Sequence, residues 1–445
     1  MKEQAHLILS GRYLLAQSRP DALIENGAVV IGRDKIIALG TTQEMLKRFP
    51  GVPQIDTTHG LVMPGLINVH THAPMALFRG MADDLPLMQW LTQYIFPVEA
   101  TLTGEMVYQG ALLSLCEMIR SGTTTFCDMY LFSADIARAV ETAGMRAWLG
   151  EALYDFPSPN YGALENGFQY SKNLLDRYRK HPLINMTMIA HAVYTCSPTL
   201  LERVGQMAEQ ENVPLCLHLS ETKEEVQTCK ERYGVTPTRH LEQLRLLGPR
   251  LIAAHCVELD NEEIELLAKR GVKVAHCPES NMKLGSGIAP VDKMLAAGIC
   301  VGLGTDGSAS NNDADMFGEM ASMARIHKAR HCDPLAVSAQ QTLYAATMGG
   351  AELLGAEKEI GSLEVGKKAD CIVLDLNQPH LTPMYQPISH LVYAAKGSDV
   401  VHSVVNGKLL MQDRKLLTLD EETILNRTRE IGKGFSRLKK TPLPT

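Results

Sequence analysis

Between residues 63 and 360 the chain repeats one pattern: a short apolar run of strand length, then a longer stretch with helical spacing. The runs are GLINVH (65–70), TTTFCDM (123–129), RAWLGEAL (146–153), TMIAHAVY (187–194), PLCLHLS (214–220), LIAAHC (251–256), VKVAHCP (272–278) and CVGLGTD (300–306). Segments such as GALLSLCEMIRSG and NEEIELLAKRG lie between them, with helical periodicity and glycine stops. Eight strand–helix repeats over about 300 residues predict an α/β fold, a (β/α)8 barrel of the TIM type. An open, doubly wound sheet is the alternative, but no G-x-G-x-x-G follows the first strand.

The two ends read differently. HLILSGRYLLA and GAVVIGRDKIIALG near the start are short β-type runs separated by turn residues, and GSLEVGKKADCIVLDL and HSVVNGKLLMQ resume that style after residue 361. Asn406-Gly407, set between two apolar runs, signals a hairpin turn. At 445 residues the chain is too long for one ordinary core. Both termini are therefore expected to build one small β-sandwich with the barrel inserted into it. The expected boundaries are 1–62 and 363–445 for the sandwich, the latter with a C-terminal tail, and 63–362 for the barrel.

The polar residues of the barrel segment gather where its strands end. In MPGLINVHTHAP (63–74) the run Leu61 to Val69 reads as a buried strand, interrupted only by Pro64 and Gly65, and it closes on His70 and His72. Residues i and i+2 of a strand share a face, so both imidazoles point the same way. Two polar groups on one face of a buried strand need a partner, and a metal ion is the simplest. The later runs add His191, His218, His255, His276 and Asp306. In a barrel, chemistry sits at the C-terminal ends of the strands.

Composition narrows the partners. Hydrophobic content of 45%, charged content of 21% and a net charge of −7, without long basic runs, argue against nucleic acid. The start of the chain lacks a signal peptide's apolar core and cleavage site, and no run of about 18 apolar residues suggests a membrane span. The ten cysteines are scattered with no C-x-x-C pair, so reduced thiols in a cytoplasmic enzyme are expected.

PGLINVHTHAPMALFRG, HLSET (218–222), AHCVELD (254–260), HCPESNMKLGSG (276–287) and GLGTDGSASNND (302–313) together resemble the amidohydrolase superfamily, in its branch of aminohydrolases acting on ring amines. The likeness runs along essentially the whole chain. Within that branch, APMALFRGMADDLPLMQWLTQYIFPVEA (73–100) is similar to the 5′-methylthioadenosine/S-adenosylhomocysteine deaminases. The resemblance implies that His70, His72, His218 and Asp306 hold a metal, with an open position for water. It implies that Asp306 accepts the water's proton, that His255 holds or polarises the nucleophile, and that Glu221 shuttles a proton to the ring nitrogen. Binuclear relatives use a carboxylated lysine on strand 4, and MTMIAHAVYT has none, so one divalent ion per chain is expected, zinc first, with iron or manganese open. His191 matches the family's substrate-contacting histidine. Zinc deaminases of the H-x-E…P-C-x-x-C type are excluded, because no P-C-x-x-C occurs.

The same resemblance gives Glu99 to the ribose hydroxyls. Trp90 is placed either on the sugar or base or in the core. No arginine for a homocysteine carboxylate stands in GEALYDFPSPNYG at the end of strand 3, which favours 5′-methylthioadenosine or adenosine over S-adenosylhomocysteine. A related hydrolase of guanine or an s-triazine is the alternative, and a non-enzymatic scaffold is disfavoured because every ligand position is filled. The expected partner is a small nucleoside, without nucleic acid or membrane. The expected assembly is a homo-oligomer whose size the sequence does not define.

Overall fold

The computed structural model of the protein describes residues 4–438; the remaining ends of the expected flanking segments, 1–3 and 439–445, lie outside the described residues. All eight apolar runs are strands: β1 (Leu66–Thr71), β2 (Thr123–Tyr130), β3 (Arg146–Leu153), β4 (Met188–Ala192), β5 (Leu215–Leu219), β6 (Leu251–His255), β7 (Lys273–His276) and β8 (Val301–Leu303). Each pairs in parallel with the next. The ring closes where the Asp306 N–H donates to the His70 carbonyl at 2.9 Å and Thr71 bridges Asp306. The strands read as near-continuous apolar runs because helices cover the outside of a parallel barrel while side chains fill its inside.

The helices that matter below are α1 (Gly104–Arg120), α2 (Ser133–Ala143), α3 (Leu164–Tyr178), α4 (Pro198–Glu211), α5 (Lys223–Tyr233), α6 (Asn261–Arg270), α7 (Val291–Ala296) and α8 (Met316–His331). Their starts are written locally. Thr103, Ser197, Thr222 and Asp315 cap α1, α4, α5 and α8 with side-chain oxygens, and Asp260 and Glu263 form a reciprocal capping box on α6.

Strands from both termini form one separate sheet. Its central neighbours are Ala5–Leu15, Gln54–Pro64 and Cys371–Asp375, so early and late segments of the chain lie side by side. The sheet curls around a cluster including Leu9, Val29, Ile31, Val62, Cys371 and Val404. Its Lys35–Thr41 strand meets residues 366–369, with Ile36 N–H donating to the Lys367 carbonyl at 2.9 Å. The hairpin read at Asn406-Gly407 is present: Val400–Val405 pairs antiparallel with Lys408–Gln412, and both turn residues have positive φ, 51° and 75°. One reading changes. The run Leu61–Val69 is not a single strand: Gln54–Pro64 belongs to the terminal sheet and Leu66–Thr71 to the barrel. Apolar composition cannot show that break, because both halves are buried.

Arg146 at the start of β3 ties the two sheets together. Its guanidinium grips Asp370 through Nε–Oδ2 at 2.7 Å and Nη2–Oδ1 at 3.1 Å. No helix among the described residues is long and apolar enough to cross a membrane.

Candidate active site

His70 and His72 leave the end of β1 on one face, as the period of two requires. Their Nε2 atoms lie 3.3 and 3.0 Å from Oδ1 of Asp306, just beyond β8. His218 on β5 brings its Nε2 to 3.3 Å from that of His72. One ligand-type atom from each of these four residues lies within 4.8 Å of the other three.

Their hydrogen bonds reveal what the cluster lacks. Nδ1 of His72 faces the Met129 carbonyl, and Nδ1 of His218 lies 2.9 Å from the His191 carbonyl. A carbonyl only accepts, so each Nδ1 carries the proton and each Nε2 a lone pair. Two facing lone pairs cannot bond each other. His70 Nε2 and Asp306 Oδ1 are likewise buried without a hydrogen bond. Ligand-type atoms that converge without satisfying one another fit a cation, and three imidazoles with one carboxylate suit a transition-metal ion. The other Asp306 oxygen, Oδ2, accepts from the Ser280 and Ser310 hydroxyls, each at 2.7 Å, which turns Oδ1 towards the histidines.

His255, at the end of β6, faces the same centre. Its Nδ1 is 2.9 Å from Asn281 Oδ1, and its Nε2 is 3.9 Å from Oε2 of Glu221. Burial raises the Glu221 carboxyl, with His255 opposing. Glu225, in the first turn of α5, accepts the backbone N–H groups of Ser220 at 3.0 Å and Glu221 at 2.6 Å, which fixes the bend that aims Glu221 inward. Ser220, His255, Cys256 and Asp306 all have positive φ. Non-glycine residues in that region are strained, and here they line up along the strand ends that carry the polar groups.

A cavity of about 410 Å³ opens over this centre. His72, His191, His218, Glu221, His255 and Asp306 form its floor, and Glu99, Trp90, Leu91, Phe96, Tyr154 and Phe156 stand among its walls. No lysine or arginine lines it among the described residues. Glu99 ends the short helix Phe96–Glu99, which follows a π-helical turn over Leu91–Ile95. Pro97 lacks the N–H that would continue a regular α-helix. Burial raises the Glu99 carboxyl, with the Tyr130 hydroxyl and His72 opposing. His191 bonds Thr195 through Nδ1 at 2.8 Å, and burial lowers it to about 3, so it stays neutral. The Trp90 N–H is spent on the Ala82 carbonyl at 3.1 Å, which leaves its ring as an apolar wall.

The cavity therefore gathers His70, His72, Glu99, Trp90, His191, His218, Glu221, His255 and Asp306 at one place, His70 through its contacts beneath the floor. His276 does not join them: it is buried and packs against His327 of α8, ring centroids 5.9 Å apart. Ser280, Asn281, Ser310, Thr195 and Glu225 escaped the sequence reading. Ser280, Asn281 and Ser310 do lie inside the motifs HCPESNMKLGSG and GLGTDGSASNND, but hydroxyls and amides are too common along any chain to stand out.

A closed parallel barrel, with a metal-type centre and titratable groups sunk in one cavity at its C-terminal face, places the chain among barrel hydrolases. The model described as the amidohydrolase family matches residues 61–410. The chain belongs to the amidohydrolase family. A 5-methylthioadenosine/S-adenosylhomocysteine deaminase of Syntrophobacter fumaroxidans is 52% identical, over 97% of this chain and 98% of that protein. A 5′-deoxyadenosine deaminase of Methanosarcina mazei is 45% identical, over 95% and 96%. The crystal structure of an adenosine deaminase from Xanthomonas campestris with bound zinc superposes with a TM-score of 0.95 at 38% identity, over 97% of this chain and 99% of that one.

Proposed function

We propose that the protein is a metal-dependent hydrolytic deaminase of adenine nucleosides, converting 5′-methylthioadenosine and water to 5′-methylthioinosine and ammonia. The observation that carries this is one cavity set over a ligand-type cluster of His70, His72, His218 and Asp306, with a buried Glu221 carboxyl and a second carboxyl group, Glu99, in an apolar wall. The four clustered residues hold one divalent ion, zinc by analogy with the zinc-bound structural relative. When bound, such an ion activates water for attack near neutral pH.

The chain's own groups do the rest. Glu221, whose burial favours its protonated form, delivers a proton to the ring nitrogen beside the amine-bearing carbon and makes that carbon electrophilic. Asp306 accepts the proton of the attacking water, and His255 holds or polarises that water. His191 stays neutral and donates or accepts to the base. Glu99 accepts the two ribose hydroxyls. Trp90, Leu91 and Phe96 exclude water around the 5′ substituent, where a methylthio group finds apolar contacts and a charged amino acid finds no cationic partner.

In this proposal residues 63–362 are the catalytic unit and 1–62 with 363–445 its supporting β unit. The ten cysteines, all unpaired, are in keeping with a cytoplasmic enzyme. Ammonia release from 5′-methylthioadenosine, adenosine, S-adenosylhomocysteine, guanine and cytosine tests the assignment. 5′-Methylthioadenosine should show the highest kcat/KM and S-adenosylhomocysteine a lower one; preference for guanine or cytosine would overturn it.

A further inference from the structure

A second cluster of ligand-type side chains lies outside the barrel mouth. Asp292 is in the first turn of α7, and His327 and His331 are one turn apart on α8. Residues i and i+4 share a helix face, the spacing by which paired histidines chelate an ion. Asp292 Oδ2 is 3.3 Å from His331 Nε2, and its Oδ1 is 3.9 Å from His327 Nδ1. One ligand atom from each lies within 4.8 Å of the other two.

His327 supplies the independent observation. Its side chain is fully buried, and neither ring nitrogen has a hydrogen-bond partner. A buried imidazole with both nitrogens unpaired is costly; His240 and His276 share that state, but of the three only His327 stands in a cluster of ligand-type side chains. The 3.9 Å gap to Asp292 is too long for a hydrogen bond. It is close to the separation of two ligands on one ion, about 3.4 Å for tetrahedral bonds of about 2.0–2.1 Å.

We propose that Asp292, His327 and His331 form a second, peripheral binding site for a borderline transition-metal ion such as zinc, separate from the barrel centre. Two imidazoles and one carboxylate favour zinc, nickel or copper over magnesium or calcium, which prefer all-oxygen sites. Lys328 and Arg330 lie beside His327 on α8 and repel a bound cation, which makes this site weaker than the central one. Its placement gives the ion a structural consequence. α7 precedes β8, and α8 follows the loop that carries Asp306, so the ion clips together the two helices that bracket this strand.

The test uses the full-length protein with its tight central ion in place, titrated with zinc chloride by calorimetry and by thermal denaturation. Wild type should bind one further equivalent and melt at a higher temperature when it is bound. His331→Gln and Asp292→Asn, both at partly exposed positions, should weaken that equivalent by at least about tenfold and abolish the thermal shift, while ammonia release without added zinc stays unchanged. Cys332→Ser should bind as wild type does. The proposal is overturned if wild type takes up no further equivalent, if His331→Gln and Asp292→Asn bind as tightly as wild type, or if the exposed Cys332 thiol proves to be the ligand.

Discussion

Replacing Glu99 with alanine should turn a nucleoside deaminase into an enzyme that hardly distinguishes nucleosides from bases. Glu99 sits in the cavity wall, and burial raises its carboxyl above the usual range. An ionised carboxylate held there has lost water and must regain hydrogen bonds from the ligand. Two vicinal ribose hydroxyls can each donate one charge-assisted bond, each contributing about 1.5 kcal/mol at the low end. Together they give about 3 kcal/mol, roughly a hundredfold in kcat/KM at 1.36 kcal/mol per decade. A ligand lacking the hydroxyls leaves the acceptors unpaired and is rejected by that factor. The methylthio tail adds a smaller preference over adenosine, about 1–3 kcal/mol for a short apolar group. The assay is ammonia release from 5′-methylthioadenosine, adenosine, 2′,3′-dideoxyadenosine and adenine, on wild type and Glu99→Ala. The variant should lose most of its rate on the first two and little on the last two. Equal turnover of adenosine and dideoxyadenosine by wild type refutes the ribose assignment and leaves a ring aminohydrolase of another substrate.

Glu221→Gln should keep the central ion but lose about 10²–10⁴-fold in kcat, because an amide cannot deliver the proton. His218→Ala should lose both ion and activity, as elemental analysis and ammonia release will show, and near-normal turnover by Glu221→Gln would refute the shuttle. Gly304→Ala places a Cβ 2.8 Å from the His70 backbone nitrogen and Cβ. The backbone cannot yield, so about 1–3 kcal/mol of stability and part of the metal content should go; an unchanged melting temperature contradicts this. Arg146→Met strands Asp370, both side chains being 3% exposed, and should cost about 3–5 kcal/mol in urea denaturation. Equal midpoints would show that the pair contributes nothing. Burial raises the Glu151 carboxyl to about 7 from 4.5. The native protein therefore keeps this proton after the unfolded chain has lost it. Its contribution to stability is greatest below about pH 4.5 and declines by up to about 3 kcal/mol as pH rises through 7. Glu151→Gln should flatten that decline, and an identical slope in the variant would be the contrary result.

The chain's local pattern carried much of this. Strand positions follow from apolar runs bounded by glycine, helix starts from capping side chains, and the shared face of His70 and His72 from the two-residue repeat of a strand. These are near-neighbour properties, and they survive in any fold that keeps the strands. The break at Pro64 and Gly65 does not belong with them, because two buried strands in different sheets are alike in composition. Nor does the exclusion of His276, which ends a strand as His255 does but packs on α8.

What only the tertiary structure decided is the meeting of remote groups. Closure of β8 against β1 brings Asp306 to His70 across more than half the chain. The Met129 and His191 carbonyls then set the histidine tautomers, so that lone pairs face one another. Ser280 and Asn281, in the short helix Pro278–Lys283, and Ser310, in a turn, orient Asp306 and His255 from segments whose composition is ordinary. Ser220, His255 and Asp306 take positive φ where their strands end, a conformation that Asp and His adopt more readily than most residues but that their sequence neighbours do not signal. Sequence periodicity determines which side of its own strand a residue occupies. Which distant side chain it faces depends on long-range closure and burial, and it is that facing which gathers three imidazoles and a carboxylate without satisfying them.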